Sequence, residues 1–146
     1  DLSELANAHG INHAVLSPGS RCAPLVISFA RHPRITCHSV SDERSAAYIA
    51  LGMAQALAEP VVLICTSGTA ATNYASAIAE AYYLQVPLVV LTADRPPEWI
   101  DQQDGQAIRQ NGLFGAFIKQ SFTLPVTYEH ADEKWHINRI LNEALL

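Results

Sequence analysis

Positive charge is scarce and dispersed in this chain of 146 residues. Lysine and arginine together number 9 against 14 aspartates and glutamates, the formal net charge is −5, and the basic residues form no cluster. Proteins that bind nucleic acid neutralise its phosphate groups with a basic face. The composition therefore excludes nucleic acid as an expected partner.

Long apolar runs, paired cysteines and clustered histidines are also missing. A helix needs about 20 apolar residues to cross a bilayer, and no segment approaches that length, so no transmembrane segment is predicted. The three cysteines include no C-x-x-C pair, and the six histidines show no metal-ligand spacing. Isolated cysteines of this kind are typical of small buried side chains in a reducing compartment. They predict a cytoplasmic protein with no metal site in this chain.

Apolar residues are plentiful at 49%, while charged residues make up only 16%, which excludes disorder and supplies a core for one domain spanning 1–146. Short apolar runs predict strands at 14–16, 35–40, 61–65, 88–91 and about 121–125. Amphipathic segments predict helices from 2 to a cap at Gly10, from about 22, and at 43–58, 70–84, about 113–119 and about 132–146. This alternation predicts an α/β fold, a doubly wound and mostly parallel sheet with helices on both faces.

Four segments that follow predicted strands carry small or polar residues, at 17–21, 41–44, 66–69 and 92–95. Ligands of doubly wound sheets bind beyond the carboxyl ends of the strands. We therefore expect these four segments to meet along one edge of the sheet and to form the functional site.

Two of the four segments suit an anion. Residues 17–21 (Ser-Pro-Gly-Ser-Arg) offer backbone N–H groups, the Ser20 hydroxyl and the Arg21 guanidinium at a helix start. They fit an ordinary capped turn with a surface arginine equally well. After the fourth strand, two prolines stiffen the loop behind Arg95, which suits an anion clamp or an Asp94–Arg95 pair that ties the loop. The chain is then polar and irregular over 98–111, and its stretch 105–110 is too polar for the core, which indicates a functional or interfacial loop.

The other two segments suit a carboxyl group and a flat ring. Glu43 lies in the first turn of a predicted helix, where it either simply favours the helix dipole or forms a partly desolvated carboxyl with a tuned proton affinity. Residues 66–69 (Thr-Ser-Gly-Thr) match neither a Walker A loop nor G-x-G-x-x-G. They provide either close packing or a floor on which a ring approaches the backbone.

Five short stretches in a fixed order are more specific together than any one alone. They are S-P-G-S-R, D-E-R, T-S-G-T-A, L-T-A-D-R-P-P-E and Q-A-I-R-Q, beginning at residues 17, 42, 66, 91 and 106. The set resembles the N-terminal pyrimidine-binding domain of the 2-succinyl-5-enolpyruvyl-6-hydroxy-3-cyclohexene-1-carboxylate synthases, thiamine-diphosphate enzymes of menaquinone biosynthesis. The resemblance runs from about residue 11 to the end, with Gly105 standing where the family pattern has asparagine.

The resemblance implies roles for individual residues. Glu43 would hydrogen-bond N1′ of the cofactor's aminopyrimidine, which makes it both catalytic and cofactor-binding. The wall beside the pyrimidine would be formed by Thr66, Ser67 and Gly68. Substrate would be bound by Ser20, Arg21, Arg95 and Gln106.

The resemblance also implies a reaction and an assembly. In this family 2-oxoglutarate is decarboxylated on thiamine diphosphate, and the succinyl-semialdehyde carbanion adds to isochorismate. A separate domain with a G-D-G…N stretch binds the diphosphate and Mg²⁺, and no such stretch occurs here. Because the family's cofactor lies between subunits, we expect a homodimer or homotetramer. Residues 1–146 are then one domain of a longer three-domain enzyme and inactive alone.

Two alternative functions stay open at this point. Another thiamine-diphosphate decarboxylase or acetohydroxyacid-type synthase would keep Glu43 but make Arg21 and Arg95 incidental. A non-catalytic α/β module that binds an anion or a nucleotide would use the same edge, although a carboxylate such as Glu43 is unfavourable beside a phosphate.

Overall fold

Four strands and six α-helices alternate along residues 2–146, the part of the chain that the computed structural model describes. The strands are β1 (His13–Leu16), β2 (Thr36–Ser39), β3 (Val61–Cys65) and β4 (Leu88–Thr92). The helices are α1 (Leu2–Ala8), α2 (Ala23–Ala30), α3 (Glu43–Leu57), α4 (Thr69–Thr72), α5 (Ala75–Leu84) and α6 (Ala131–Leu145), with a 3₁₀ turn at Pro97–Trp99.

The strands form one parallel sheet in the order β2-β1-β3-β4. From β1 the chain winds outward to β2, crosses back to β3 and continues to β4. Helices α3 and α5 pack on one face around Leu63 and Val15, whereas α1, α2 and the end of α6 pack on the other around Val62 and Ile64. The predicted doubly wound sheet with helices on both faces is confirmed.

Strand β3 lies at the centre of the two packed faces. All five of its residues (Val-Val-Leu-Ile-Cys) are buried, as expected for a parallel strand covered on both sides. Cys22 and Cys65 are buried and Cys37 is half-buried, in line with their predicted place among small core side chains. No helix in the described part of the chain is long and apolar enough to cross a membrane.

Helix α3 begins as its sequence predicts. Asp42 is the N-cap, and its Oδ1 accepts a hydrogen bond of 2.7 Å from the backbone N–H of Ser45. Hydrogen bonds from the Ser45 side chain and backbone lower the pKa of the Asp42 carboxyl. The cap fixes Glu43 as the first helical residue, four residues after the end of β2.

The predicted helix over 70–84 is wrong as a single element. The structure has α4 and α5 there, joined by a tight turn at Asn73 and Tyr74. The side chains of Thr72 and Asn73 both donate to the carbonyl of Thr69, over 2.7 and 2.9 Å. Side chains that bond to nearby backbone compete with the helical pattern, so the helix tightens and restarts.

Two predicted elements near the C-terminus are also wrong. Over 113–119 the chain makes turns rather than a helix, because Gly112 and Gly115 adopt positive φ angles of 73° and 54°. The apolar spacing there arises from Leu113, Phe114 and Ile118, which pack against the core without helical backbone. Residues 121–125 pair with no strand in the range 2–146.

Candidate functional site

A polar segment lies across the carboxyl ends of β1, β3 and β4. We call this segment, residues 101–110, the strap. It comes from the loop after β4 and contacts the residues that follow each of these strands. The four strand ends predicted from sequence therefore share one edge, and the strap covers three of them.

Arg21 joins the end of β1 to the strap. Its Nη1 donates to Oε1 of Gln106 over 2.6 Å, and its Nη2 donates to the carbonyl of Gly105 over 3.2 Å. The guanidinium Nε–H is buried and has no hydrogen-bond partner among the described residues. Arg21 therefore keeps N–H donors beyond its two contacts with the strap, the buried Nε–H among them. The neighbouring Ser20, also predicted as a substrate residue, is exposed.

The turn after β3 holds the strap's backbone. Ser67 Oγ donates to the carbonyl of Gln106 over 2.9 Å. Gly68 has φ +81°, and a Cβ added there would lie 2.7 Å from the Cα of Gln106, so only glycine allows this contact. The close approach predicted at residues 66–69 is thus made by the chain's own strap. A role of Thr66, Ser67 and Gly68 beside a pyrimidine stays a prediction.

Gln110 fixes the other end of the strap. Its Oε1 accepts a hydrogen bond of 2.7 Å from the backbone N–H of Gly68. Its Nε2 donates to the carbonyl of Ala93 over 2.9 Å and to Oγ1 of Thr92 over 3.3 Å. No role of Gln110 is predicted from the sequence, although this residue ends the Q-A-I-R-Q stretch, four residues after Gln106.

Arg95 also contacts the strap, at Asp104, which is one residue before the Gly105 that Arg21 contacts. Its Nη2 pairs with a carboxylate oxygen of Asp104, and the guanidinium lies 5.5 Å from the centroid of the Trp99 ring. The Asp94 carboxylate accepts from the Arg95 backbone N–H over 2.7 Å, so the side-chain partner is Asp104 rather than the neighbouring aspartate. The Arg95 side chain is 22% exposed, and its Nε–H is buried without a partner in residues 2–146.

Glu43 lies at the end of β2, where the strap makes no hydrogen bond. It is half-buried, and its carboxylate accepts no hydrogen bond from any described residue. Its charge adds to the rise in the pKa of two buried groups, Cys65 and Tyr74. Burial is the main cause in both cases, raising the pKa of Cys65 to about 12 and that of Tyr74 further above its usual range. Glu43 therefore faces groups that stay neutral at neutral pH.

Buried hydroxyl groups lie below this edge of the sheet. Thr66 Oγ1 is buried with no hydrogen-bond partner among residues 2–146. The hydroxyls of Ser17 and Tyr74 lie near each other, and the Tyr74 hydroxyl also lies near the Cys65 thiol. Buried polar atoms in native proteins are nearly always paired. The Thr66 hydroxyl is an exception to this rule among residues 2–146.

Comparison with known proteins places the chain in a family. Residues 1–113 match the family described as "Thiamine pyrophosphate enzyme, N-terminal TPP binding domain". The chain belongs to this family. Thiamine pyrophosphate is another name for thiamine diphosphate.

Several curated relatives of this thiamine pyrophosphate N-terminal domain carry the same name. The chain is 56% identical over 145 residues to a 2-succinyl-5-enolpyruvyl-6-hydroxy-3-cyclohexene-1-carboxylate synthase of Cytophaga hutchinsonii, and 52% identical over 145 residues to one of Bacteroides fragilis. Each match covers 99% of this chain and 26% of the relative, so the chain spans about a quarter of the relatives' length. The resemblance predicted from five short stretches is confirmed.

A solved structure confirms the domain's fold. The Rhodococcus jostii RHA1 thiamine diphosphate-dependent 4-hydroxybenzoylformate decarboxylase superposes with a TM-score of 0.80 at 20% identity. The match covers 99% of this chain and 26% of that one. At this identity the likeness concerns the fold alone.

Proposed function

We propose that this domain is the pyrimidine-binding part of a 2-succinyl-5-enolpyruvyl-6-hydroxy-3-cyclohexene-1-carboxylate synthase. The enzyme would decarboxylate 2-oxoglutarate on thiamine diphosphate and add the succinyl-semialdehyde unit to isochorismate. The observation that carries the proposal is the pair of half-buried guanidiniums at one sheet edge, Arg21 and Arg95, each with a buried Nε–H lacking a partner among the described residues. Both proposed substrates bear carboxylates, which such donors bind.

The residues present fit one half of thiamine diphosphate. An aminopyrimidine offers ring nitrogens and an amino group, which match the unpaired carboxylate of Glu43 and the buried, unpaired hydroxyl of Thr66. When bound, the cofactor supplies a thiazolium carbon that adds to a 2-oxo acid and accepts the electrons released with carbon dioxide. Glu43 would hold a proton at N1′ of the pyrimidine and so favour the tautomer that takes the proton from the thiazolium carbon.

The diphosphate and Mg²⁺ belong elsewhere in this proposal. Residues 2–146 contain no group of three His, Cys, Asp or Glu side chains able to hold a metal ion. We assign the diphosphate and Mg²⁺ to a separate domain of a three-domain chain, contributed by a partner subunit in a homodimer or homotetramer. A cytoplasmic location is part of the same proposal.

The two arginines would divide the anionic substrates between them. Arg21 lies at the end of β1 and Arg95 after β4, and they contact consecutive strap residues, Gly105–Gln106 and Asp104. A carboxylate bound there would accept from the guanidinium N–H groups that the strap leaves free. Gln106, whose Oε1 already accepts from Arg21, would keep that guanidinium in place while the substrate binds.

Replacement of Glu43 tests the proposal most directly. In the full-length enzyme that carries this domain, Glu43→Gln keeps the size of the side chain but removes the carboxyl group that can bind and release a proton. We expect kcat for carbon dioxide release from 2-oxoglutarate to fall by about 10²–10⁴-fold, the usual contribution of a positioned acid or base. Glu59→Gln, at an exposed glutamate after α3, should leave kcat unchanged. Wild-type kcat in Glu43→Gln would contradict the proposal.

Replacement of the arginines separates the alternative functions. Arg21→Ala and Arg95→Ala should raise KM for 2-oxoglutarate or isochorismate in the full-length enzyme. If turnover occurs with monocarboxylic 2-oxo acids and is insensitive to both changes, a different thiamine-diphosphate decarboxylase is indicated. If a nucleotide raises Tm and thiamine diphosphate does not, the protein is a binding module instead.

A further inference from the structure

The side chain of Gln110 spans the gap between two strand ends. On one side it accepts from the backbone N–H of Gly68 over 2.7 Å, and on the other it donates to the Ala93 carbonyl over 2.9 Å. Backbone groups just beyond a strand lose their sheet partners and need others when they are half-buried. Gln110 supplies a partner to both, and in doing so it attaches the end of the strap to β3 and β4.

We propose that Gln110 is a positioning residue of the substrate site, acting through the strap on Gln106 and Arg21. The proposal rests on the function proposed above, because it assigns Arg21 to substrate. Gln110 contacts neither Gln106 nor Arg21 by hydrogen bond, and it lies four residues from Gln106 along the strap. Its effect is therefore carried by the backbone between them.

The backbone of Gln106 needs support from both sides. Its φ is +57°, an uncommon conformation for a residue with a side chain. Such conformations persist only where the surroundings over-determine them. Ser67 holds the Gln106 carbonyl and Gly68 packs against its Cα, while Gln110 anchors the following turn to that same Gly68. Without the Gln110 anchor, the strap can relax away from Gly68 and release Gln106.

The orientation of Arg21 then depends on Gln106. The hydrogen bond between Arg21 Nη1 and Gln106 Oε1 is 2.6 Å long, and it fixes the guanidinium with its Nε–H buried and unpaired among residues 2–146. A displaced Gln106 would free Nη1 as well and let the guanidinium rotate. Substrate would then have to order a flexible cation on binding, which weakens binding without altering Glu43.

Three variants of the full-length enzyme test the proposal. In Gln110→Ala we expect KM for the substrate that Arg21 binds to rise by about tenfold, the scale of one buried hydrogen bond. Because Glu43 is untouched, kcat and the KM for thiamine diphosphate should each change by less than about twofold. Gln110→Glu keeps the acceptor for Gly68 but loses the donor to Ala93, and should fall between Gln110→Ala and wild type. Gln102→Ala, at an exposed strap residue without a side-chain hydrogen bond in residues 2–146, is the matched control.

A measurement independent of turnover accompanies the kinetics. Hydrogen exchange of the Gly68 amide, the donor to Gln110, should accelerate at least about tenfold in Gln110→Ala, while amides of β3 keep their wild-type rates. The proposal would be overturned if the Gly68 amide of Gln110→Ala exchanged at the wild-type rate. It would also be overturned if that exchange accelerated while KM stayed at the wild-type value. An equal loss of protection throughout the sheet in both Gln110 variants would overturn it as well, because that marks a general structural role.

Failure of the proposed function gives a different result. If the wild-type enzyme releases no carbon dioxide from 2-oxoglutarate, the synthase assignment is wrong whatever the variants do. Gly68 exchange then still decides whether Gln110 anchors the strap. Calorimetric titration of wild type and Gln110→Ala with 2-oxoglutarate decides whether that anchor governs anion binding, and equal affinities would refute it.

Discussion

Strand β3 is buried along its whole length by apolar side chains, whereas the strap that crosses the end of the same strand is held by a few polar contacts. Burial of an aliphatic side chain contributes about 1.5–3 kcal/mol to the free energy of unfolding, and many arrangements of neighbouring side chains provide it. A single hydrogen bond contributes about 0.5–1.5 kcal/mol and requires one geometry. The sheet therefore contributes most of the stability of the domain, whereas the strap fixes the positions of Gln106 and Arg21.

This difference explains why damage to each region should appear in a different measurement. A change in the sheet lowers the free energy of unfolding of the whole domain. A change in the strap moves Gln106 and Arg21 while the sheet survives, so we expect it to appear in local exchange and, under the proposed function, in substrate binding. Three substitutions or conditions test this division, beginning with the largest expected effect.

Leu63→Ala should have the largest effect on stability. Leu63 is fully buried in the centre of β3, and removing its side chain leaves a cavity between the sheet and α3. We expect the free energy of unfolding to fall by about 2–5 kcal/mol in urea denaturation. Val126→Ala, at a side chain that is 71% exposed, should change it by less than about 0.5 kcal/mol. A loss below about 1 kcal/mol for Leu63→Ala would mean that β3 is not the centre of the fold.

Gly68→Ala should have an intermediate effect because it lies where the two regions meet. The added Cβ would meet the backbone of Gln106, at a φ that disfavours side chains, and we expect a loss of about 1–3 kcal/mol. Gly52→Ala is the matched control: Gly52 lies within α3 with no atom within 4 Å of an added Cβ, so alanine should stabilise by about 0.4–1 kcal/mol. Thermal unfolding of both variants measures the contrast, and a shift of Tm in the same direction would contradict it.

Alkaline pH near 10 should have the smallest effect, and it should act on buried acidic groups of the core, of which Cys65 lies in the sheet. Burial raises the pKa of Cys65 from its ordinary value of 9.0 to about 12, so the thiol stays neutral in the folded state while it ionises in the unfolded chain. This contribution is complete below pH 9 and is lost as the pH rises toward 12, with about 1 kcal/mol lost by pH 10. Cys65→Ala should lower stability at pH 7 yet show a shallower decline above pH 9 in urea denaturation. Parallel pH profiles would show that Cys65 ionisation is not involved.

The sheet was predictable because its information is local. The unbroken apolar run 61–65 gave β3 with its observed bounds, and Asp42 marked the start of α3. Prediction failed over 113–119, where apolar side chains pack on the core from a chain of turns. Apolar spacing alone does not distinguish a helix from a loop that covers the same surface.

The site was predictable in its strand ends but not in its contacts. The rule that parallel strands meet at one edge brought Arg21 and Arg95 to the same side of the sheet. Nothing in the sequence near Arg95 favoured Asp104, nine residues away, over the adjacent Asp94 as the partner of its side chain. The same holds for Gln110, whose partners lie 42 and 17 residues earlier in the chain and become its neighbours only when the sheet forms.

The separation of Arg21 from Gln106 also has a consequence for synthesis of the chain. Their hydrogen bond closes a loop of 85 residues, and contacts of long range form after local ones. Ribosomes add about 5–20 residues per second, so Arg21 is made roughly 4–17 s before Gln106. During that interval β1 can pair with β2, and then with β3, while the guanidinium still lacks its amide partner. The edge that carries Arg21 is thus completed after the strands that support it, and helix α6 is added later still.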